Sequence, residues 1–560
     1  MNNPWKFLKD EIASEVKKIT KADVFSDIEE PTMPDYGDLS LPCFNMSKKF
    51  QASPTEISED LAGRLKIKYI TKIKAIGPYV NFYVDWNAFG NDILKAITKT
   101  YGKNNIGKNK KVMVEFSAVN TNKPLHIGHA RNCAIGDSLA NIMKKVGYKV
   151  TKANYPGDIG LHIAKTIYAY KYWFNGKKPT GKTDHFVGEL YTLFEEKMVE
   201  NPELEEKARE ILRKWENGDK EIINIWKKIN KWAIDGQEKT YKRLGIKFDN
   251  VMYESQFTET GKDFIPKLLA KGFAFKGETG EIVADTEKFG IPNFIILRSD
   301  GTSLYQTKEL AVIESKFKKY KLDQSINVVG REQELYFQQV YKLLELLGSK
   351  TAGKSHHLAY GLVMLPEGKM SGRKGKVVFI DELLDDVKES IYKVIKNKFP
   401  KKKAEDIAEK VAIGAIKYAL LKLSPDRNIM FNKEEIIRYE GDTGPYLQYT
   451  YARANSILNK EKIKGKIDAS LLTDPREITL LKILAKYPLV LEKSARDMKP
   501  NYLANYLYML TENFNNFYQN VPVLKAESEL VKARLKLVES VKTVIESGLN
   551  LLGIPVLEKM

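Results

Sequence analysis

The chain has 560 residues, 43% of them hydrophobic, which is enough for about three or four domains with buried cores. Its net charge of +19 predicts a polyanionic partner, nucleic acid first and an anionic membrane surface second, although lysine-rich composition alone could also produce it. With only two cysteines, Cys43 and Cys133, a disulfide framework and a cysteine-rich zinc site are excluded. No apolar run reaches about 18 residues and no targeting segment is recognisable, so we expect a cytoplasmic protein without a membrane span.

The first hundred residues predict a mixture of helices and strands. Apolar spacing predicts a helix over residues 5–19, and Ser53 followed by Glu56 predicts the start of a second helix over 54–65. Residues 73–84 predict strands around a Gly77-Pro78 turn. Residues 102–111 are rich in glycine, asparagine and lysine, and we interpret them as a linker.

The middle of the chain alternates strands and helices. Strands are predicted near 112–117 and 148–154 with a helix between them, and again at 294–297, 326–329 and 358–364 with helices over 307–320 and 333–347. Charged, helical residues from 175 to about 280 read as an insertion. Such alternation predicts a parallel sheet, and ligands bind at the carboxyl ends of its strands, where His126 and Gly330 would lie.

From about residue 380 onward the pattern is helical, with no convincing strand. Helices are predicted over 381–397, 402–422, 443–460, 476–493, 500–519 and 526–551. We therefore expect a mainly helical region of about 180 residues after the α/β part.

The most informative motif is His126-Ile127-Gly128-His129, because the chain has only six histidines. The motif stands between a strand pattern and a helix pattern, so the helix N-terminus can receive phosphate. Gly128 allows a ligand to approach the backbone closely. Two imidazoles can then hydrogen-bond a nucleotide triphosphate. The alternative is that two histidines lie near a helix start by chance.

A second motif lies downstream. Four cations and three glycines fall between Gly368 and Lys376, a composition typical of a mobile phosphate clamp. The alternative is a solvated basic loop. Taken in this order, the two motifs resemble the signatures of class I aminoacyl-tRNA synthetases.

Several longer segments are similar to arginyl-tRNA synthetases. The strongest resemblance is over residues 441–453, and others cover 36–38, 76–82, 114–132, 297–311 and 551–560. The resemblance implies an α/β Rossmann-type catalytic domain over 109–380, with a helical insertion at about 175–280. It further implies an α+β N-terminal domain over 1–108 that contacts the tRNA elbow. A helical stem-contact or linker region over 381–440 and an all-α anticodon-binding domain over 441–560 complete the expected architecture.

The resemblance implies a pocket for L-arginine lined by Glu115, Asn120, Tyr305, Glu309 and Gln333. A guanidinium is a planar fork of donors and is best held by carboxylates and amide oxygens. We expect Glu309 to take the guanidinium with Tyr305 packed beside it, and the other three to hold the rest, including the α-amino group. The family more often has aspartate at the position of Glu309. Glu115 stands in an apolar strand, where an unpaired carboxylate is costly, so we interpret it as functional.

The resemblance also implies ATP, with Mg²⁺, as a substrate, and no structural metal is expected. The residues implied in catalysis or ATP binding are Lys123, His126, Gly128, His129, Lys369, Met370, Ser371, Arg373 and Lys374. Gly372 replaces the second lysine of the family's loop motif, and Lys123 fits the role of the missing lysine, with Arg373 and Lys374 as rivals. His162, where the family often has glutamine, is interpreted as a supporting residue or as ordinary packing.

The helical end of the chain would bind the anticodon of tRNA(Arg). Tyr449 and Arg453 lie one helical turn apart, and an aromatic ring beside a guanidinium can stack on unpaired bases. Met560 is a further candidate by the same resemblance, and we expect a monomer. Two alternatives remain open: a small-molecule nucleotidyltransferase of the same superfamily, and an RNA-binding paralogue that has lost catalysis.

Overall fold

The computed structural model describes residues 3–174, 176–257, 260–301, 305–365, 368–369, 377–463 and 465–560, with only the backbone for Pro34, Thr260, Tyr305, Leu365 and Lys369. The first part of the chain is an α+β unit. Its antiparallel sheet has the strand order β1-β3-β2. The elements, in chain order, are α1 (Pro4–Thr20), β1 (Leu39–Pro42), α2 (Phe44–Phe50), α3 (Pro54–Arg64), β2 (Ile70–Ile76), β3 (Tyr79–Val84) and α4 (Trp86–Ala96).

The predicted elements of this unit are confirmed. Helix α3 begins where Ser53 accepts a hydrogen bond from the Glu56 amide and the Glu56 side chain accepts one from the Ser53 amide. The predicted linker over 102–111 is more structured than its composition indicates. The Gly107 amide donates to the carbonyl of Val146, and the Asn109 amide donates to that of Gly147, both at 3.0 Å. These bonds join the linker to the next unit.

A five-stranded parallel sheet with the strand order β11-β10-β4-β5-β6 forms the centre of the second unit. Its first elements are β4 (Lys111–Glu115), α5 (Ile127–Lys145), β5 (Lys149–Asn154), α6 (Leu161–Trp173), α7 (Thr183–Glu200), α8 (Leu204–Glu216), α9 (Lys220–Arg243) and β6 (Asn250–Val251). The next are α10 (Ile265–Ala270), β7 (Ala274–Lys276), β8 (Ile282–Ala284), β9 (Phe294–Leu297), α11 (Tyr305–Tyr320), β10 (Gln324–Gly330), α12 (Glu334–Leu347), β11 (Ser355–Tyr360), β12 (Val363–Leu365) and β13 (Gly368–Lys369). The sheet confirms the Rossmann-type prediction.

Three details of the predicted sheet were wrong. The strand at 294–297 is β9, which belongs to a separate antiparallel sheet with β7 and β8. The predicted strand at 358–364 is divided between β11 and β12, which lie in different sheets. The expected insertion at about 175–280 is helical only in its first part, because β6 within it returns to the parallel sheet.

The last part of the chain is mainly helical, as predicted. It contains α13 (Ile380–Ile395), α14 (Lys401–Leu421), β14 (Ile429–Met430), α15 (Lys433–Ile436), α16 (Gly444–Leu458), α17 (Pro475–Arg496), α18 (Asn501–Asn520) and α19 (Ser528–Leu551). One strand was not predicted: β14, two residues long, pairs with β12. It ties the region assigned to 381–440 to the α/β unit.

Close helix packing explains the glycine in the segment that carried the strongest family resemblance. A Cβ on Gly444, in α16, would lie 2.2 Å from the carbonyl oxygen of Gly414 in α14. The approach therefore requires glycine, since any larger residue would meet backbone atoms. Tyr418, also in α14, donates to Asp442 at 2.5 Å and fixes the turn that precedes α16.

Residues 551–558 connect the helical region to α5. Asn141 of α5 donates to the Leu551 carbonyl at 3.2 Å, and the buried Lys417 of α14 donates to the Gly553 carbonyl at 2.9 Å. Gln448 of α16 donates to the Pro555 carbonyl at 2.7 Å. One short segment thus contacts three helices that are far apart in sequence.

Cys43 and Cys133 are free and buried. Among the helices in the described ranges, we find none with the length and apolar character that a membrane crossing requires.

Candidate active site

The candidate site lies where the order of the parallel strands reverses, between β4 and β10. Glu115 is the last residue of β4, and it stands opposite Asn327 in the register of β10. Helix α5, with the histidine motif at its start, follows β4 after a loop. Crevices at such reversal points are the usual ligand sites of open parallel sheets.

The loop after β4 begins with a sharp turn. Ser117 and Ala118 have φ values of 78° and 51°, in the left-handed region that residues other than glycine rarely adopt. Two buried amides hold them there: the Ser117 amide donates to Asn132 at 2.5 Å, and the Ala118 amide donates to Asn154 at 3.0 Å. Strained backbone of this kind persists only where neighbouring bonds impose it, and it is typical of ligand sites.

The helical insertion holds the rest of this loop. The Gln237 side-chain amide, from α9, donates to the carbonyl of Asn120 at 3.1 Å and to that of Lys123 at 2.9 Å. Gly188 of α7 lies so close that a Cβ would be 2.8 Å from Cδ of Pro124. The insertion therefore fixes the backbone that carries Asn120 and Lys123.

The two motif histidines cap the first turn of α5. His126 Nδ1 accepts hydrogen bonds from the amides of Gly128 (3.1 Å) and His129 (3.4 Å), and His129 Nδ1 accepts one from the His126 amide (3.2 Å). Their rings stack with centroids 3.5 Å apart. Because Nδ1 is an acceptor in both rings, the proton of each neutral ring is on Nε2, where it can be donated to a ligand.

Burial and a nearby lysine keep both imidazoles neutral. Burial, reinforced by the charge of Lys123, lowers the pKa of His126 to about 4. Burial, followed by the charges of His126 and Lys123, holds the pKa of His129 well below its usual value. Burial also lowers the pKa of the Lys123 ammonium. Lys123 is therefore near enough to the two rings for its charge to act on both of them.

The second motif lies mostly outside the described residues: Met370, Ser371, Arg373 and Lys374 cannot be placed. Lys369 is described as backbone only, in β13, which pairs with β12. The chain returns beside the histidine motif, since the Ile127 amide donates to the Val378 carbonyl at 3.1 Å and the Ile380 amide donates to the Leu125 carbonyl at 3.0 Å.

Glu309 has the properties expected of a cation receptor. It is 6% exposed, and among the described residues its Oε1 has no hydrogen-bond partner. Burial raises the pKa of Glu309 to about 7, while Lys316 opposes the rise and Glu115 and Glu254 add to it. A hydrogen bond with Tyr336 favours its charged form. A cationic ligand at Oε1 would supply the missing partner.

Glu115 is differently placed. Its Oε2 accepts a hydrogen bond from the fully buried Lys316 at 3.0 Å, and its Oε1 accepts one from Asn327 at 3.0 Å. The burial of Glu115 in an apolar strand is therefore explained by these two partners, and does not by itself indicate a functional role. Glu115 is close enough to Glu309 to add to the rise of the Glu309 pKa, but the negative charge of Glu115 is already matched by Lys316.

The other residues predicted to bind arginine, and His162, have different surroundings in the structure. Asn120 lies beside Gly157, because its Oδ1 would be 2.6 Å from a Cβ on that residue. Gln333 is exposed at the start of α12. Tyr305 opens α11, but its side chain is outside the described residues. The Nε2 atom of His162 is buried without a described partner, and burial lowers its pKa to about 4.

Two of the three predicted anticodon residues, Tyr449 and Arg453, are in contact with each other. Arg453 donates to the Tyr449 hydroxyl at 3.2 Å and lies over its ring, 4.7 Å from the centroid. It also lies 5.1 Å from the ring centroid of Tyr518, a partly exposed residue of α18 that we did not select from the sequence. Met560 packs against the helical core and is partly exposed. Two rings and a guanidinium offer flat surfaces on which bases can stack.

Several pocket residues were not anticipated: Lys316, Asn327, Glu254, Lys308 and Tyr336. One of them had a signal in the sequence. Lys316 lies seven residues after Glu309, two helical turns along the same face of α11. The others reach the pocket from segments whose spacing does not reveal their proximity.

Comparison with known proteins agrees with this geometry. The model of the class I tRNA synthetase (R) catalytic domain matches residues 92–432, that of the DALR anticodon binding domain matches 447–560, and that of the arginyl tRNA synthetase N terminal domain matches 6–84. The chain belongs to the arginyl-tRNA synthetase family. The catalytic-domain match includes both β14 and β12, which pair with each other.

Relatives resemble the chain over its whole length. It is 41% identical to the arginine–tRNA ligase of Treponema denticola, covering 95% of this chain and 94% of that protein. It is 36% identical to the ligase of Halothermothrix orenii, covering 99% of both. The solved arginyl-tRNA synthetase of Thermus thermophilus superposes with a TM-score of 0.83 at 29% identity, covering 99% of this chain and all of that one. A small-molecule nucleotidyltransferase would not require the matched anticodon-binding domain.

Proposed function

We propose that the chain is an arginine–tRNA ligase, which activates L-arginine with ATP and transfers it to tRNA(Arg). One observation carries the choice of amino acid: Glu309 is a buried carboxylate whose Oε1 has no partner among the described residues. It stands at the same end of the sheet as two neutral histidines that can donate to phosphate. A guanidinium supplies both the positive charge and the hydrogen-bond donors that Glu309 lacks.

In the activation step, an oxygen of the arginine carboxylate attacks the α-phosphorus of ATP. A new oxygen–phosphorus bond forms, the bond to the β-phosphate bridging oxygen breaks, and pyrophosphate leaves with the electron pair. Nε2–H groups of His126 and His129 donate to the phosphate oxygens, and the Lys123 ammonium balances their growing negative charge. Gly128 leaves the backbone open to the nucleotide. Catalysis here is mainly positioning and charge stabilisation.

In the transfer step, a terminal ribose hydroxyl of tRNA attacks the carbonyl carbon of the arginyl-adenylate. The new ester bond forms as the bond to the phosphate oxygen breaks, and AMP leaves. A charged guanidinium is readily distinguished from neutral competitors, because each of them would leave Glu309 buried and unpaired. On these grounds the chain needs no editing site.

Further assignments complete the proposal. Lys369, Met370, Ser371, Arg373 and Lys374 bind the triphosphate, which enters as its Mg²⁺ complex. Tyr449 and Arg453, with Met560 nearby, contact the anticodon loop, and the N-terminal unit contacts the tRNA elbow. We further propose that the chain acts as a monomer in the cytoplasm, where its tRNA is present.

The test is aminoacylation of total tRNA with radiolabelled arginine and ATP, with lysine and glutamine in parallel reactions. We expect charging with arginine alone, and a large loss in Glu309→Gln but not in the matched control Glu278→Gln, which changes an exposed carboxylate in the β7–β8 turn. Charging with lysine or glutamine would contradict the assignment of the pocket. Tight, salt-sensitive tRNA binding without any charging would indicate the non-catalytic paralogue.

A further inference from the structure

The backbone of the histidine motif is held by a segment from a distant part of the chain. Residues 378–380 run antiparallel to residues 125–127, with His126 opposite Phe379, and backbone hydrogen bonds of 3.1 and 3.0 Å join the two segments on either side of that pair. His126 has extended backbone, with φ −108° and ψ 172°. Because φ and ψ limit the directions that a side chain can take, this pairing helps to decide where the His126 ring points.

Asp381 follows the paired segment directly, in the first turn of α13, and its carboxylate is turned toward the helical insertion. Its side chain is 14% exposed. Its Oδ2 accepts a hydrogen bond from the Thr240 hydroxyl at 2.8 Å and lies 3.2 Å from the Lys182 ammonium and 3.8 Å from Nε2 of His185. An acidic residue in the first turn of a helix is favourable in general. Three groups of the insertion around one oxygen also fix its position.

Helix α9 connects this contact to the loop that carries Lys123. Gln237, which donates to the backbone carbonyl of Lys123, stands three residues before Thr240, so both side chains lie on the same face of α9. One helix therefore holds the loop before the histidine motif with Gln237 and the start of α13 with Thr240. The segment that carries Lys123 and the segment paired with His126 share a common support.

The insertion presents these groups from helices that are packed closely together. A Cβ on Gly236 of α9 would lie 2.4 Å from the backbone nitrogen of Asp184 in α7. The Lys182 ammonium donates to the buried Asp184 carboxylate at 2.6 Å as well as facing Asp381. Lys182 is thus held between two carboxylates, one from the insertion and one from α13.

His185 contacts both the carboxylate and the paired segment. Its ring centroid lies 5.3 Å from that of Phe379, while its Nε2 faces Asp381. Burial alone would raise the pKa of Asp381, but the neighbouring His185, Lys182 and Thr240 outweigh burial and lower this pKa to about 2. The carboxylate that joins α13 to the insertion is therefore charged at neutral pH.

We propose that Asp381 is a positioning residue for the nucleotide: through its contacts with the insertion it fixes residues 378–380 against the histidine motif, and so directs the Nε2–H group of His126 toward the triphosphate. Asp381 acts through His126 and touches no substrate. The proposal rests on the proposed function, in which His126 donates to phosphate. Glu309, on the amino-acid side of the site, is bonded by Tyr336 of α12, so α13 should matter for ATP and not for arginine.

The test measures the binding of ATP with Mg²⁺, and separately of L-arginine, to the full chain by calorimetry. We expect Asp381→Asn to weaken ATP binding about tenfold or more, the range for losing one hydrogen bond to a charged group, and to change arginine binding less than about twofold. Asp386→Asn is the matched control, because it alters an exposed carboxylate of the same helix and should change neither affinity.

A double-mutant cycle separates positioning from a general loss of structure. His126→Ala should itself weaken ATP binding about tenfold. Adding Asp381→Asn to it should weaken binding less than about twofold further, because the group that Asp381 directs is already gone. Effects that multiply in the double variant would overturn the proposal, since Asp381 would then act by another route.

Equal weakening of ATP and arginine binding would overturn it too, as would an unchanged ATP affinity. If the melting curve shows that Asp381→Asn does not fold, Thr240→Val takes its place, because it removes one donor to Asp381 without leaving a buried charge. It should weaken ATP binding about threefold or more, with the same dependence on His126. If the unaltered chain fails to charge tRNA with arginine, the proposed function is refuted, whereas the ATP measurements still decide the role of Asp381.

Discussion

Replacing Glu309 by glutamine should make the protein more stable and less able to bind arginine. Burial is the main cause that raises the pKa of Glu309, from 4.5 to about 7. The folded state therefore binds more protons than the unfolded state between pH 4.5 and 7, so stability falls as pH rises through this window. At 1.36 kcal/mol per pKa unit, the charged carboxylate costs about 3 kcal/mol above pH 7. A neutral isostere avoids that cost.

The effect on binding has the opposite sign. A guanidinium that loses its buried carboxylate partner should bind about 2–5 kcal/mol more weakly, which is roughly thirtyfold to several thousandfold. Urea unfolding of Glu309→Gln and of the unaltered chain at pH 5 and pH 8, with calorimetry of arginine binding, measures both effects. Equal stability differences at the two pH values, or unchanged arginine affinity, would refute the reasoning. Glu278→Gln, at an exposed site, should change neither quantity.

Three other outcomes are expected. The affinity for arginine should rise about tenfold per pH unit as the pH approaches 7, because arginine favours the charged form of Glu309 and its binding releases about one proton. Calorimetry below pH 7 in buffers of different ionisation enthalpy measures this proton release. Glu115→Gln should destabilise the fold by about 3–5 kcal/mol, since it leaves the Lys316 ammonium buried without its counter-charge, and equal urea midpoints would contradict the ion pair. Gly444→Ala should lower the melting temperature, because its Cβ would lie 2.2 Å from the Gly414 carbonyl oxygen, whereas Gly441→Ala, with no atom within 4 Å, tests only backbone strain at its positive φ.

The sequence predicted long elements well because their periodicity is set by burial on one side. Helix α3, for example, was recognised from Ser53 and Glu56, whose bonds are local. Short strands were predicted poorly. An apolar run such as residues 294–297 can form a strand in a parallel or an antiparallel sheet. Its own sequence therefore does not show that β9 pairs with β8 rather than joining the parallel sheet. Strands β6 and β14, two residues each, are too short to show any period.

In the candidate site too, features set by local sequence could be predicted and features set by distant contacts could not. His126 and His129 cap the helix that begins between them, so a local motif describes both their positions and their bonds. The state of Glu115 could not be predicted, because its partners Lys316 and Asn327 are 201 and 212 residues away. Whether a buried carboxylate is neutralised or left for a ligand depends on such distant contacts. Glu309 and Glu115 are both buried carboxylates, but only the contacts of the folded chain show that Glu115 is paired with Lys316.

The hydrogen bonds that residues 551–553 accept from α5 and α14 can form only when translation is almost finished. Asn141 donates to the backbone carbonyl of Leu551, and Lys417 donates to that of Gly553. At typical rates of translation, the ribosome adds the last of these residues roughly 20–80 s after it has finished α5. For roughly 7–27 s after Lys417 is itself added, the nascent chain holds this residue without that acceptor. We therefore expect premature termination before residue 551 to yield a chain that chaperones retain, and not an active enzyme that merely lacks part of its tRNA contact.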